Sequence, residues 1–218
     1  MKLKYRRPNI TKEKKEQIRK EFLEGKGTKQ LSVEYNRSQR NIEKDVSDLL
    51  QIQINKKYNY ILQKINKLTD FEKGWIAGII DGDGSIFLSK HHQRDQYHPS
   101  VAVMTTDNFI TKKLYCLLGG KVHLDVKKNP KHKNGIRWSY TNILSVRAFC
   151  NIFKDLLVLK NRQAKLLEEY CISRMCNSTE YTQREKNIYI LMKQLNQKGI
   201  IQDGDSRIDY RSEVLPCI

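Results

Sequence analysis

The chain has 218 residues, which is enough for one ordinary domain and a smaller second one. Its mean hydropathy is −0.68, and no apolar run approaches the ~20 residues of a membrane span, so we expect no membrane partner. Forty-one basic residues against 24 acidic ones give a net charge of +17. Residues 1–68 carry 18 basic and 8 acidic residues, a net +10, so the remainder carries +7 and both halves are basic. A charge this positive and this widely spread favours a nucleic-acid phosphate backbone as the partner.

The sequence pattern of residues 1–50 predicts a small helical domain. The apolar spacing indicates helices beginning at Thr11, Thr28 and Ser38, and the last of them reaches about Leu50. This arrangement resembles a helix-turn-helix, whose third helix enters the major groove. Two residues of its first turn, Gln39 and Arg40, are therefore candidate DNA contacts. A helical bundle that only docks on the rest of the chain has the same pattern.

The rest of the chain predicts a linker, a mixed α+β domain and a tail. Residues 51–68 are polar and indicate a partly helical linker, residues 69–200 form the second domain, and residues 201–218 are irregular. A capping box, Thr69 with Glu72, begins a helix that reaches about Ile80. The predicted order is α-β-β-α-β-β-α with further C-terminal helices, and the strands lie near 85–90, 100–105, 121–126 and 137–143.

The predicted strands alternate between apolar and polar residues. On the first strand, Ile86 and Leu88 alternate with Phe87 and Ser89. One face of the sheet is therefore expected to pack on helices, while the other suits either bulk solvent or a DNA major groove. The candidate DNA contacts on that face are Phe87, Ser89, His91, Lys121, His123, Arg137, Ser139 and Thr141.

One segment, Trp75 to Ile86, reads W-I-A-G-I-I-D-G-D-G-S-I and joins helix packing to acid chemistry. Four small or polar residues at i, i+3, i+4 and i+7 share one helix face and would let a second helix approach closely. They are Gly74, Ala77, Gly78 and Asp81. The motif occurs once, so the partner helix would belong to a second copy of the chain. Across a twofold axis, two copies of Asp83 would repel unless a cation such as Mg²⁺ lay between them. A plain helix-to-strand turn is the alternative.

This segment resembles the signature of the LAGLIDADG homing endonucleases, and the resemblance covers about residues 69–200. It implies an α+β domain with an αββαββα core and a saddle-shaped antiparallel sheet. The single-motif members imply a homodimer that uses a divalent cation to make a double-strand break in a long, near-palindromic DNA site. By position, Asp83 matches the metal-binding acid of the family. Gly82 matches the residue whose carbonyl assists it, and Asp81 matches the acid at the helix end.

A second block supports the resemblance. Residues 157–164 read L-V-L-K-N-R-Q-A and resemble the family segment L-x-L-K-x-x-Q-A, which implies that Lys160 lies near the scissile phosphate. One departure is that the solvent-ordering Gln of the family is absent, and the segment reads Met104-Thr105-Thr106-Asp107. The hydroxyl of Thr105 or Thr106 is the candidate replacement. For a further basic residue, Lys112 and Lys113 are candidates.

The function that these observations predict is a homodimeric, Mg²⁺-dependent endonuclease of intron homing with an added helix-turn-helix. One alternative is a transcription regulator that has lost catalysis, although Asp81 and Asp83 are both present. Another is an intron maturase that binds host-intron RNA. The five cysteines show no zinc-site spacing and favour a reducing, intracellular compartment. The abundance of residues with A/T-rich codons favours a chloroplast or mitochondrion, or a bacterial or phage-infected cytoplasm.

Overall fold

A computed structural model describes residues 10–91, 96–126, 133–176 and 180–197 of the chain. These residues form two compact units that divide after Tyr60. The first nine residues of the predicted helical domain and the predicted irregular tail at 201–218 lie outside the described residues. Within the described ranges, no helix is both long enough and apolar enough to cross a membrane.

The N-terminal unit is helical. Its elements are α1 (Lys12–Leu23), α2 (Thr28–Glu34), α3 (Gln39–Asp45) and the first part of α4 (Ser47–Asn66). Its core consists of Ile18, Phe22, Leu31, Ile42 and Val46. Two further apolar residues of these helices, Leu23 and Val33, are exposed and lie outside this core.

The third predicted helix is two helices in the structure. It breaks at Val46, which caps α3 with a non-helical φ of −115° and ψ of 18°. The break places the Val46 side chain fully inside the core, so burial of a β-branched residue outweighs helix continuity. Beyond it, α4 continues to Asn66 through most of the segment that was predicted to be a partly helical linker.

The second unit has the predicted α+β class and the predicted αββαββα order, so both predictions are confirmed. Its helices and strands, in chain order, are α5 (Asp70–Asp83), β1 (Gly84–His91), β2 (Gln96–Thr105), α6 (Asn108–Leu118), β3 (Lys121–Asp125), β4 (Gly135–Tyr140), α7 (Ile143–Phe153), α8 (Asn161–Cys176) and α9 (Gln183–Leu195). The four strands form one antiparallel sheet in the order β1-β2-β4-β3.

The strand register separates two faces of this sheet. Ile86 pairs with Val101, and Val101 pairs with Tyr140, so these buried side chains line one face together. Trp138, which is fully buried, pairs with Val103 on the same side. Burial of this apolar surface against the helices provides the main stabilisation of the unit. The residues between them in sequence point to the opposite side, which we call the open face.

Candidate functional site

The motif acids lie at the C-terminal end of α5. The helix begins at the predicted capping box, in which Thr69 and Glu72 exchange hydrogen bonds. It continues past Ile80 to Asp83, further than the sequence predicted, and Gly84 begins β1 directly with a φ of −80°. Glycine is required at 84 for space, because a Cβ there would lie 2.6 Å from the Cα of Ile80. The turn therefore depends on close backbone approach and not on a left-handed conformation.

Asp81 is tied to a segment distant in sequence. One carboxylate oxygen accepts a hydrogen bond from the backbone N–H of Val158 at 2.7 Å, and the other accepts one from the N–H of Lys160 at 3.0 Å. The Lys160 ammonium also donates to the main-chain carbonyl of Asp81. These three bonds hold residues 158–160 against the end of α5.

Asp83 differs from Asp81 because it is exposed. Within the described residues, no N–H or O–H group donates to its carboxylate. Its charge acts on Lys160 together with that of Asp81. Burial lowers the pKa of the Lys160 ammonium, and the two carboxylates offset part of this lowering. A cation and a free carboxylate therefore lie together at one end of the motif helix.

Thr105 ends β2 at the same end of the sheet, since Val103 pairs with Gly84. Its hydroxyl oxygen accepts a hydrogen bond from the N–H of Asp107 at 3.0 Å, and Asp107 in turn caps α6. Within the described ranges, the Thr105 hydroxyl donates to no acceptor. Of the further basic candidates, Lys112 is exposed, whereas the Lys113 ammonium lies 4.5 Å from the centre of the Trp75 ring.

The four residues proposed for a helix interface differ in whether they are available to a second chain. At Gly74 and Gly78 an added Cβ would meet nothing within 4 Å, and the same is true of Gly82. Ala77, in contrast, is only 5% exposed and packs inside its own unit, and Asp81 bonds residues 158–160. The exposed face of α5 is therefore centred on Gly78 and is rotated away from Ala77.

Exposed apolar side chains surround this face of α5. Phe71 lies on α5 itself, one turn before Gly74 and Trp75, and is exposed. Near the other end, beside Asp81, Val158 is 83% exposed and Leu159 is 71% exposed. Exposed apolar residues around a glycine-rich helix face are typical of a protein–protein contact.

The open face of the sheet presents most of the predicted DNA contacts to solvent. Its exposed members, with the residue that follows β4, are Ser89, His91, Lys121, His123, Arg137 and Thr141, and Phe87 is half-buried. Ser139 differs because it is only 6% exposed and lies on the central strand β4, between Ala102 of β2 and Lys121 of β3. Its small side chain is screened by its neighbours.

Asn196 is a residue of this face that the sequence did not indicate. Its amide N–H donates to the carbonyl of Ile86 at 3.0 Å, on the outer edge of β1. It lines a shallow concavity of about 280 Å³ together with Ser85, Phe87, Ala102, Met104 and Arg137. No motif marks this position, because the contact joins residues 110 apart.

In the N-terminal unit, the two predicted contacts lie on α3. Gln39 is exposed, and its amide donates to Glu43 at 2.8 Å and to Thr28 at 3.3 Å. Arg40 is exposed and, among the described residues, forms no ion pair. Several other basic side chains of the unit are neutralised by carboxylates.

No protein-family model matches the sequence, and no curated protein is similar to it. Solved structures do resemble it. The archaeal intron-encoded homing endonuclease I-Vdi141I, solved in complex with DNA, has a TM-score of 0.52 and 19% identity over 61% of this chain and 89% of its own. The homing endonuclease I-CvuI, also bound to DNA, has a TM-score of 0.44 and 24% identity over 63% of this chain and 85% of its own. The LAGLIDADG meganuclease I-AabMI, bound to uncleaved DNA, has a TM-score of 0.44 and 15% identity over 56% of this chain and 43% of its own.

The fold of this chain is therefore that of the LAGLIDADG homing endonucleases. At this level of identity the likeness concerns the fold, and the activity has to be argued from the site.

Proposed function

We propose that the protein is a homodimeric, divalent-cation-dependent endonuclease that makes a double-strand break in a long, near-palindromic DNA site. The observation that carries this proposal is the exposed Asp83 carboxylate at the end of α5, with the Lys160 ammonium bonded to the Asp81 carbonyl at the same helix end. The net charge of +17 supports a phosphate-bearing substrate.

The residues fit a cation that is shared between chains. Among the described residues, no group of three or more His, Cys, Asp or Glu residues could hold a metal ion. Both carboxylate oxygens of Asp81 already accept backbone hydrogen bonds. One chain therefore offers the Asp83 carboxylate and the Gly82 carbonyl, whereas Mg²⁺ takes about six oxygen ligands. A second copy of Asp83, phosphate oxygens and water would supply the rest.

When bound, the cation would neutralise charge on the phosphodiester and favour ionisation of a nearby water. The protein's own groups would do the remaining work. Lys160, fixed by its bond to the Asp81 carbonyl, would offset negative charge that develops at the phosphate. Thr105, whose hydroxyl donates to no acceptor among the described residues, would orient a water molecule at the same end of the sheet.

Dimerisation would use the exposed face of α5. Glycines at 74, 78 and 82 leave space for a second copy of the helix, and Phe71, Val158 and Leu159 supply apolar contact around it. A twofold contact here would bring the two Asp83 residues together and would match a near-palindromic site.

The dimer can be tested with Gly78→Leu. The added side chain has open space within one chain, but it would hold a second helix away. We expect the variant to fold and to sediment as a monomer at concentrations where the parent chain is dimeric. Lys165→Leu, which adds the same side chain at an exposed position of α8, is the control. A monomeric parent chain, with and without DNA, would contradict the proposal.

The open face would bind the DNA duplex, with Arg137, Lys121 and His123 as its basic and hydrogen-bonding residues. Asn196 would add an amide at the edge of β1. The N-terminal unit would act as a helix-turn-helix and bind DNA outside the central site through Gln39 and Arg40. Two linked contacts on one duplex raise the overall affinity by avidity.

The activity can be tested with Asp83→Asn. The DNA is a duplex selected by binding to the full chain from a randomised library, and cleavage and binding are measured separately with Mg²⁺. We expect cleavage to fall by at least about 100-fold while binding is largely kept, because a group that acts only in the transition state is lost. Asp155→Asn, at an exposed carboxylate between α7 and α8, is the control. Cleavage by Asp83→Asn at the rate of the parent chain would overturn the metal-binding role.

A further inference from the structure

The position of Asp81 is unfavourable for α5 alone. It lies two residues before the end of the helix, where the helix dipole repels a negative charge. Its two carboxylate oxygens accept hydrogen bonds from residues 77 and 79 positions away. The Asp81 side chain therefore stabilises the contact with that distant segment and not α5 itself. A hydrogen bond to an ionised acceptor generally contributes more than the repulsion from a helix dipole costs, and Asp81 accepts two of them.

The segment that Asp81 binds has few other attachments. Leu157 is buried and α8 begins at Asn161, but Val158 and Leu159 between them are largely exposed. Within the described residues, Asp81 accepts both hydrogen bonds that backbone N–H groups of residues 158–160 donate, while the Lys160 carbonyl accepts one from Ala164 in α8. Lys160 depends on Asp81 twice, through its own N–H and through its ammonium.

We propose that Asp81 is the positioning residue of this site: its carboxylate and its main-chain carbonyl together hold residues 158–160 so that the Lys160 ammonium stays at the end of α5 that carries Asp83. The inference rests on the proposed nuclease function for its effect on rate, but not for its effect on the backbone. Asp81 acts through Lys160 and contributes no ligand of its own. One acid of the motif is thus bonded within the chain, while no described group donates to the other, Asp83.

The backbone effect is tested first, without DNA or metal. In Asp81→Asn, the amide group places N–H donors where one oxygen accepted, so at least one of the two backbone bonds is lost. We expect hydrogen exchange of the Val158 and Lys160 amides to accelerate by about tenfold or more, since one such bond contributes on the order of 1.5 kcal/mol. Asn142→Ala, which removes the side-chain cap of α7, is the control for loss of a capping bond elsewhere. Unchanged exchange at 158 and 160 would overturn the inference.

The rate effect is tested with single-turnover cleavage by Asp81→Asn, Lys160→Met and the double variant. Misplacing a group by about 1 Å can cost about 100-fold in rate. We expect a loss of that order in Asp81→Asn, with DNA affinity in the absence of divalent cation changed by less than about threefold. Because Asp81 acts through Lys160, the double variant should be no slower than Lys160→Met within about threefold.

The outcomes separate the two proposals. Losses that multiply in the double variant, or an Asp81→Asn variant that cleaves at the rate of the parent chain, overturn the positioning role. A parent chain that does not cleave DNA with any divalent cation overturns the proposed function. In that case the exchange experiment still decides whether Asp81 holds residues 158–160.

Discussion

Several basic side chains of the N-terminal unit are paired with carboxylates, whereas Lys121 and Arg137 on the open face of the sheet are paired with no described carboxylate. In the N-terminal unit, Arg19 is paired with Asp48, Arg37 with Asp45, and Lys26 with both Glu21 and Glu34. On the open face of the sheet, Lys121 and Arg137 form no ion pair with any described residue. The net charge of a unit therefore overstates what is available to a phosphate backbone, and the unpaired side chains are the better guide.

The largest effect on DNA affinity should follow the loss of an unpaired charge on the open face. We expect Arg137→Ala to lower affinity by about tenfold and to reduce the salt slope of binding by about one, because one cation–phosphate contact is lost. Fluorescence anisotropy at several salt concentrations measures both. Arg184→Ala is the matched control, since the Arg184 guanidinium is bound by the Glu169 carboxylate. Equal losses in the two variants would show that pairing does not determine availability.

A smaller effect is expected in the N-terminal unit, where Arg40 is proposed to bind DNA outside the central site. Arg40→Ala should lower affinity by about threefold, since this contact adds to binding only through linkage to the main site. Lys26→Ala, which removes a lysine already bound by two carboxylates, should leave affinity nearly unchanged. If Lys26→Ala weakened binding more than Arg40→Ala, the assignment of α3 to DNA would fail.

The smallest effect concerns stability in acid. The Arg19 guanidinium lowers the pKa of Asp48 to about 2. A carboxyl group whose pKa is lowered by folding stabilises the folded state above its ordinary pKa of 3.8, and this contribution is lost as the pH falls towards 2. In Asp48→Asn this part of the pH dependence should be absent. Thermal unfolding of both chains followed by circular dichroism between pH 5 and 2 would show parallel curves if the ion pair contributed nothing.

Local pattern was sufficient to predict most of the architecture. Alternation along the strands separated Ile86 and Leu88 from Phe87 and Ser89, because strand side chains alternate whatever the strand packs against. The break at Val46 was not predictable in this way. Nothing in the period of apolar residues shows that the core reaches this position at the cost of helix continuity.

The site was only partly predictable for a similar reason. The motif pointed to Asp83 and the second block to Lys160, but the bonds from Asp81 to residues 158–160 join parts of the chain about 80 residues apart. Small-residue spacing placed Ala77 on the same face as Gly78, whereas packing turned that side of α5 inward. Sequence spacing states which residues share a helix face, and only the tertiary structure decides which face is covered.

The direct junction between α5 and β1 has a consequence for how such a protein could change its target. Asp83 ends the helix, Gly84 admits no side chain, and Ser85 is already on the open face, so no loop separates the proposed metal-binding acid from the proposed DNA-binding face. A substitution near Ser85 that shifts the strand would carry Asp83 with it. Drift in specificity should therefore be easiest towards the far end of β1, at Ser89 and His91, and hardest beside the acid. Designed changes of the DNA target should likewise be easier at Ser89 and His91 than at Ser85.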